Sequence, residues 1–217
     1  MPAPEGARID RVVVPYDARE PCTRLSPVLG PDERREFARA MLADVLAAVQ
    51  AGGYDPEVLA TTPLDLEVAV TVDDRPLTPA VNDRLVPGTA VVMADLALAT
   101  PEALSRLFET PGDVVLAPGR GGGTNALVTR HPEFRVDYHG GSFLKHRRIA
   151  EECGLCRSVV DSHRLATDVD EPADLVEVLI HGPGTSAEWL DEVGFGLDDR
   201  GGRLGLSRDG EPVGASR

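Results

Sequence analysis

A short apolar run that ends abruptly at a carboxylate constrains this sequence more than any other feature. The run is Val91-Val92-Met93-Ala94, with Asp95 directly after it and a Pro87-Gly88 breaker in front. Residues 89–94 are too few for a helix and are rich in β-branched side chains, so they predict a buried strand. Ligands of open α/β sheets bind in the crevice outside the carboxyl ends of the strands. Asp95 is therefore predicted either to hold a ligand there or to cap the next helix.

Strand-like and helix-like segments alternate along the rest of the chain. Strands are predicted at 9–15, 57–61, 67–73, 113–118, 126–129 and 157–161, and helices at 31–51, 78–85, 101–109, 142–153, 172–181 and 185–193. This alternation predicts an α/β three-layer sandwich, in which a mostly parallel sheet carries helices on both faces. We expect a flexible leader at 1–8, one domain at 9–195, and a C-terminal extension at 196–217 that includes an edge hairpin.

The charge balance excludes some classes of partner. Among 217 residues, 36 are acidic and 22 basic, the formal net charge is −14, and Lys145 is the only lysine. A nucleic acid or an anionic membrane needs a basic face, so neither is expected as a partner. Acid excess with almost no lysine is typical of halophile proteins, whereas a GC-rich genome would explain only the scarce lysine. Without a membrane-span pattern or a signal peptide, a cytoplasmic protein is predicted.

Cysteines and histidines receive no predicted chemical role. Cys153-Gly-Leu-Cys156 has redox or zinc spacing, but the sequence has no second pair and no histidine at a complementary spacing. We therefore interpret the pair as ordinary cysteines at a helix end. His139, His146 and His163 are scattered, with no ligand-like spacing.

A glycine-rich turn between two predicted strands is a candidate anion site. It has the sequence Arg120-Gly121-Gly122-Gly123-Thr124-Asn125. Successive glycines allow backbone N–H groups to converge on an anion, with the Arg120 and Thr124 side chains close by. No Gly-Lys-Ser/Thr follows, so it is not a Walker loop, and a flexible hairpin explains it equally well.

Two carboxylates precede the helix predicted at 172. Asp168 and Asp170 are two residues apart, so in an extended backbone both point the same way and can converge on one cation. The alternative is that Asp170 or Glu171 caps the helix. Together with Asp95, the pair favours a metal site, and Mg²⁺ is typically held by one or two carboxylates plus substrate phosphates.

The long loop at 16–30 follows the first predicted strand. In α/β folds such a loop usually meets the nucleotide. This loop carries Arg19, Arg24 and Ser26. The alternative is that its arginines form surface ion pairs, as is common in an acidic protein.

With these residues assembled, the sequence resembles the archaeal 2-phospho-L-lactate guanylyltransferases, which make an intermediate of the deazaflavin coenzyme F420. Six ordered stretches over roughly residues 9–195 carry the resemblance. They are Val14-Pro15-Tyr16, Arg24-Leu25-Ser26-Pro27-Val28-Leu29, Val92-Met93-Ala94-Asp95-Leu96, residues 118–127, Gly141-Ser142-Phe143, and residues 167–172 with Asp174-Leu175.

The resemblance implies a nucleotidyltransferase domain with a nucleotide-diphospho-sugar transferase-like fold, and GTP, Mg²⁺ and a second copy of the chain as partners. It implies catalytic metal ligands at Asp95, Asp168 and Asp170, and contacts to a small phosphorylated three-carbon acid at Thr124, Gly140 and Ser142. It also implies nucleotide binding by Pro15, Arg24, Ser26, Arg120, Gly121, Gly122 and Gly123. One departure is Cys22, which stands where the family often has a lysine. Either Arg19 or Arg24 replaces that charge, or phosphate binding in this loop is weaker.

The implied reaction joins GTP and (2S)-2-phospholactate and releases pyrophosphate. A phosphate monoester is largely dianionic at neutral pH, so it needs no general base. The site must supply charge neutralisation and in-line alignment, which carboxylate-held Mg²⁺ can provide. Phosphoenolpyruvate or 3-phosphoglycerate would use the same residues, and the choice of guanine comes from the resemblance alone. A non-catalytic nucleotide-binding module is the alternative from another class, which Cys22 keeps open.

Overall fold

The computed structural model describes residues 8–200, 202 and 204–213. Residues 1–7 of the predicted leader lie outside this range. The strands are β1 Arg11–Tyr16, β2 Pro56–Ala60, β3 Ala69–Val72, β4 Thr89–Val92, β5 Val114–Pro118, β6 Thr124–Thr129, β7 Arg157–Val159, β8 Phe195–Asp198, β9 Gly205–Arg208 and β10 Glu211–Val213. The helices are α1 Pro31–Ala51, α2 Leu77–Asn82, α3 Pro101–Glu109, α4 Ser142–Glu152, α5 His163–Ala166, α6 Asp174–His181 and α7 Thr185–Glu192, with a 3₁₀ turn at Thr23–Leu25.

Seven strands form the main sheet, in the order β3-β2-β1-β4-β6-β5-β7. Strand β6 runs antiparallel to both β4 and β5, and the other neighbours are parallel. The first residues of β6 therefore lie at the same edge of the sheet as the carboxyl ends of β1, β4 and β5. The predicted mostly parallel sheet is confirmed.

Helices cover both faces of this sheet. Val12 and Val14 of β1 face the side of α1 and α3, whereas Val13 faces the side of α2 and α4. A strand that is buried on both faces is a continuous apolar run, not an alternating one. The predicted three-layer sandwich is therefore confirmed. Among the described helices, none is long and apolar enough to span a membrane.

A further layer packs on the outer side of α1. Phe37 and Met41 of α1 contact a cluster formed by α6, α7 and the small antiparallel sheet β10-β9-β8. The C-terminal residues do pair as antiparallel hairpins, but they lie in this separate sheet and not at the edge of the main sheet. The physical reason is that Phe195 and Leu206 bury their apolar side chains against the outer side of α1. Arg208 reinforces this contact with its guanidinium 4.8 Å from the Phe195 ring centroid.

Several element boundaries differ from the predictions. α2 ends at Asn82 instead of residue 85, and α6 begins at Asp174 instead of residue 172. The four-residue helix α5 was not predicted. It is too short to show a helical repeat, and the side chain of Ser162 starts it by accepting a bond from Leu165 N–H at 3.4 Å.

Candidate active site

Asp95 lies just beyond the carboxyl end of β4, as the sequence predicts. Backbone pairing continues past the strand, because Met93 N–H donates to the Asn125 carbonyl at 2.9 Å. Asp95 Oδ1 is buried and has no hydrogen-bond partner among the described residues. Leaving a carboxylate oxygen buried and unpartnered is unfavourable, so such an atom points to a ligand.

Helix capping does not explain the three acids. Helix α3 is capped by Thr100, whose hydroxyl accepts a bond from the third helical residue at 3.3 Å, and not by Asp95. Helix α6 has Ala173 at its N-cap with no side-chain capping bond, so Asp170 and Glu171 do not cap it. The helix-capping alternatives that the sequence left open for Asp95 and Asp170 are therefore not found.

Backbone and side-chain bonds bring the three acids to one edge of the sheet. Val169 N–H donates to the Asp95 carbonyl at 3.1 Å, which places the segment between α5 and α6 beside β4. The Asn125 side-chain amide, at the start of β6, donates to Asp168 Oδ1 at 3.2 Å. Asp170 lines the same cleft as Asp95.

Two of the three carboxylates, Asp95 and Asp170, have a raised pKa. Burial raises the pKa of Asp95 to about 7, and the charges of Asp170 and Asp168 add to the rise. Burial also raises the pKa of Asp170, Arg24 opposes the shift, and Asp168 adds to it. Like charges in one crevice disfavour ionisation in this way. Their ligand oxygens are not all within 4.8 Å of one another, since among the described residues only a group on α5 and α6 meets that limit.

The loop after β1 brings Arg24 to the acids and directs Arg19 elsewhere. The Arg24 guanidinium pairs with Asp170, whereas Arg19 pairs with Asp74 at 3.6 Å. Burial, with the charges of the site carboxylates, raises the pKa of the Cys22 thiol to about 12. The position where the resemblance expects a lysine thus holds a neutral thiol, and Arg24 is the arginine of this loop that reaches the acids.

The glycine-rich turn forms the hairpin between β5 and β6. It is closed by Gly119 N–H, which donates to the Gly123 carbonyl at 2.9 Å. A Cβ at residue 119 would lie 2.3 Å from the Asn125 side-chain oxygen, so this close approach requires glycine. At Gly121 and Gly122 a Cβ would meet nothing within 4 Å. The hairpin interpretation is confirmed, and anion binding by its open face stays a prediction.

Arg120 ties this turn to the acidic segment. Its N–H donates to the Ala166 carbonyl at 3.0 Å, and its guanidinium pairs with Asp174 at 2.5 Å. Asp174 also accepts bonds from the N–H groups of Asp170 and Glu171, at 3.1 and 2.8 Å. Asp174 therefore fixes the arginine and the acidic segment together.

Thr124 and Ser142 meet in a buried hydrogen-bonded group. Thr124 N–H donates to Ser142 Oγ at 2.9 Å. His146 Nε2 accepts the N–H of Asp137 at 2.9 Å, so in the neutral ring Nδ1 carries the proton and donates to Thr124 Oγ1 at 2.8 Å. The hydroxyl protons of Thr124 and Ser142 are thereby left to donate to a ligand.

The start of α4 differs from the prediction in one respect. Ser142 is not the N-cap, because Gly141 takes that position with a φ of +59° and makes no side-chain capping bond. Phe143 N–H donates to the Gly122 carbonyl at 3.2 Å, which brings the start of α4 onto the glycine-rich turn. Gly140 precedes it, also with positive φ, and a Cβ there would meet nothing within 4 Å.

Two adjoining clefts open along the carboxyl end of β1. Both are lined by Pro15, Tyr16 and Met93. The first continues to the acids, and the second runs between β2 and α2, where Leu77 lies in its wall. Ser26, at the end of the 3₁₀ turn, lines neither cleft. Of the predicted nucleotide contacts, Pro15 is thus at the cleft that holds the acids and Ser26 is outside it.

Sequence reasoning assigned no role to three residues that position this site. His146 holds Thr124, Asn125 holds Asp168, and Asp174 holds Arg120. A signal for His146 was present, since it lies four residues after Ser142 and therefore on the same helix face. Asn125 and Asp174 lie inside the stretches that carry the resemblance.

The cysteine pair lies away from these residues. Cys153 is the C-cap of α4, and Cys156 directly precedes β7. Both thiols are free and exposed. The predicted position at a helix end is confirmed for Cys153, and their lack of a chemical role stays a prediction.

The residues fit Mg²⁺ by the type of ligand they offer, and their carboxylates would have to move closer together to share one ion. The ion prefers oxygen ligands, of which carboxylates contribute charge, and it commonly shares them with substrate phosphates. Asp95, Asp168 and Asp170 offer such oxygens, and Asp95 Oδ1 is a buried acceptor without a partner in the described part of the chain. The pKa of Asp95 is raised by its burial and by its acidic neighbours, and a bound cation would offset both effects.

Comparison with solved structures agrees with the observed topology. A structure from Desulfovibrio desulfuricans G20, described as a candidate nucleotide-diphospho-sugar transferase, superposes with a TM-score of 0.69 at 15% identity, over 83% of this chain and 93% of that one. At this identity the likeness shows the fold alone. The fold is thus nucleotide-diphospho-sugar transferase-like, and its sheet edge carries an acidic cleft.

Sequence comparison assigns the chain more narrowly. It belongs to the family described as "Guanylyl transferase CofC like", whose model matches residues 10–206, and it is therefore a nucleotidyltransferase. A relative from Halomicrobium mukohataei is 62% identical over 91% of this chain and 99% of its own length, and one from Natronomonas pharaonis is 60% identical over 92% and 99%. Both relatives are named 2-phospho-L-lactate guanylyltransferase.

Proposed function

We propose that this chain transfers the guanylyl group of GTP to (2S)-2-phospholactate, giving lactyl-2-diphospho-5'-guanosine and pyrophosphate in coenzyme F420 biosynthesis. The observation that carries the proposal is the identity of 62% and 60% to relatives of that name along nearly their whole length. The site is consistent with it, because it offers carboxylates, hydroxyls and backbone N–H groups.

The proposed reaction makes one bond and breaks one. An oxygen of the acceptor's phosphate dianion attacks the α-phosphorus of GTP, and the bond from that phosphorus to the pyrophosphate oxygen breaks. The nucleophile carries its negative charge already, so no side chain has to accept a proton. The protein must instead orient both substrates in line and neutralise their charge.

In this proposal the acids hold Mg²⁺. Asp95 and Asp170, which line the first cleft, would hold it together with Asp168. Once bound, the ion supplies charge neutralisation at the phosphates. Arg24 already faces Asp170 and adds a positive charge at the same place. Arg120 is fixed by Asp174 near the glycine-rich turn.

The remaining predicted contacts divide between the two substrates. The Thr124 and Ser142 hydroxyls, whose protons are free to donate, would bind the phospho-acid beside the open backbone at Gly140. The backbone of Gly121, Gly122 and Gly123 and the cleft at Pro15 would bind the nucleotide, and Ser26 would have to approach it from outside that cleft. We also propose the homodimer and the cytoplasmic location that the sequence suggested.

Pyrophosphate release tests the proposal. The purified chain is assayed in molar KCl with GTP or ATP and with phospholactate, phosphoenolpyruvate or 3-phosphoglycerate in turn. We expect GTP with phospholactate to give the highest kcat/KM and a product with the mass of lactyl-2-diphospho-5'-guanosine. A higher kcat/KM with another acid would assign that acid as the acceptor in place of phospholactate. Binding of GTP without turnover of any acid would favour a non-catalytic module.

A further inference from the structure

A cluster of metal-ligating side chains lies outside the proposed catalytic site, on α5 and α6. His163, Glu177 and His181 form the one group in the described part of the chain whose ligand atoms all lie within 4.8 Å of one another. Glu177 Oε2 lies 3.4 Å from His163 Nε2 and 3.8 Å from His181 Nε2. The two imidazole rings meet edge to face, with centroids 5.4 Å apart.

The two helices, and a hydrogen bond between them, place these three ligands next to one another. Glu177 and His181 are four residues apart on α6, so they share one helix face. His163 is the first residue of α5, whose start is fixed by the Ser162 hydroxyl. Arg164 then joins the two helices, because its guanidinium donates to the His181 carbonyl at 3.2 Å.

We propose that His163, Glu177 and His181 bind a divalent first-row transition-metal ion of the zinc class. Imidazole nitrogens with one carboxylate suit such ions, whereas Mg²⁺ prefers oxygen ligands alone. Bonds of about 2.0–2.1 Å in a tetrahedron place ligand atoms roughly 3.3–3.5 Å apart. For the two pairs that include Glu177, the observed 3.4 and 3.8 Å require shifts of a few tenths of an ångström, and the ligand nitrogens of the two histidines lie within 4.8 Å of each other. The side chains of His163 and His181 are 54% and 44% exposed, which leaves room for water to complete the shell.

A metal ion bound at this group would also affect the segment that carries two of the proposed catalytic acids. Helix α5 ends at Ala166 and α6 begins at Asp174, so the segment between them carries Asp168 and Asp170. A metal ion held by ligands from both helices would cross-link the two ends of that segment. An ion that binds the folded state alone also raises the unfolding midpoint.

Zinc binding by the purified, tag-free chain tests the proposal, with equilibrium dialysis in a salt whose anion does not complex zinc. We expect one Zn²⁺ per chain, a rise in the unfolding midpoint with zinc, and the visible absorption of a four- or five-coordinate site with Co²⁺. Glu177→Gln and His163→Ala should each weaken binding more than tenfold, and His131→Ala is the matched control that keeps it. Excess Mg²⁺ should not displace the zinc.

Three results would overturn the assignment. They are the absence of stoichiometric zinc in the unaltered chain, unchanged zinc binding by Glu177→Gln, and loss of the zinc in a Cys153→Ser/Cys156→Ser variant, which would assign the ion to the exposed cysteines. Pyrophosphate release is measured in parallel on the same preparation. A chain that turns over GTP without binding zinc refutes this inference and leaves the proposed function standing.

Discussion

His146 is fully buried, and it positions Thr124 through a hydrogen bond from its ring. Burial lowers the pKa of His146 from 6.5 to about 4, Lys145 adds to the fall, and Asp137 opposes it. The unfolded chain therefore binds a proton at this residue below pH 6.5, whereas the folded chain does so only near pH 4. The contribution of neutral His146 to the free energy of unfolding is therefore fully present above pH 6.5, and it is lost as the pH falls from 6.5 towards 4.

The first prediction concerns this pH dependence. Between pH 7 and pH 5 the free energy of unfolding should fall by on the order of 2 kcal/mol through His146 alone. His146→Gln should remove that part of the slope, measured by urea unfolding in molar KCl at each pH. His131→Gln, which alters a partly exposed histidine, is the matched control and should keep the slope. Identical slopes in the unaltered chain and in His146→Gln would contradict the account.

At the scale of single residues, the sequence motifs predict the acids of the site but not the residues that hold the site in position. Asp95, Asp168 and Asp170 could be chosen from sequence because each stands where a ligand or a cap is expected. Only the structure shows that Thr100 and Ala173 occupy the two cap positions. The support from His146 depends on a contact across 22 positions of the chain, which no local pattern specifies.

At the scale of elements, helix α7 depends on a residue from another helix. Its N-cap is Gly184, which has no side chain to offer. Asp44 of α1 is buried and accepts the N–H bonds of Thr185 and Ser186, at 2.6 and 2.9 Å, as well as the Ser186 hydroxyl. The two backbone N–H groups at the start of α7 are thus satisfied from α1.

The second prediction concerns variants of Asp44 that lose this contact. Asp44→Ala leaves the buried N–H and hydroxyl of Ser186 and the part-buried N–H of Thr185 without an acceptor, so it should lower the free energy of unfolding by roughly 2–4 kcal/mol. Asp44→Asn should lower it less, because the amide oxygen still accepts one bond. Asp32→Ala, on an exposed part of the same helix, is the control and should change stability far less. Chemical unfolding gives the values, and a loss for Asp44→Ala no larger than that for Asp32→Ala would refute the capping role.

Elements with strong local signals could be predicted, and those fixed by distant partners could not. The long helix α1 was predicted from its Pro31 start and its Gly52-Gly53 end, and β4 from its apolar run. Pairing across the sheet sets the strand order, and no segment encodes it alone. The small sheet β8–β10 was misplaced because its position depends on the outer side of α1, which the sequence of 196–217 does not reveal.

At the scale of the whole molecule, the net charge of −14 is the feature that most affects stability in different salt concentrations. The two relatives compared come from halophilic archaea, which agrees with the halophile interpretation of this composition. Carboxylates that repel one another across the surface destabilise the compact state at low ionic strength. In molar salt the Debye length falls to about 3 Å, so this repulsion is screened.

The third prediction follows from that screening. The thermal unfolding midpoint and the rate of pyrophosphate release should both rise from dilute buffer to molar KCl. Glycerol at matched water activity is the control for solvent effects without charge, and it should raise the midpoint less. Differential scanning fluorimetry gives the midpoints. A midpoint that is flat or falls with KCl would refute the halophile interpretation.

The central claim is that Asp95, Asp168 and Asp170 together hold the catalytic Mg²⁺, and their Asp→Asn variants test it most directly. Each change keeps size and shape but removes an anionic ligand. We expect pyrophosphate release from GTP and phospholactate to fall roughly a hundredfold or more in each variant, with partial rescue by excess Mg²⁺. The exposed Asp161→Asn serves as the control, and unfolding curves confirm that all variants fold. Near-normal release from both Asp95→Asn and Asp168→Asn would contradict the claim.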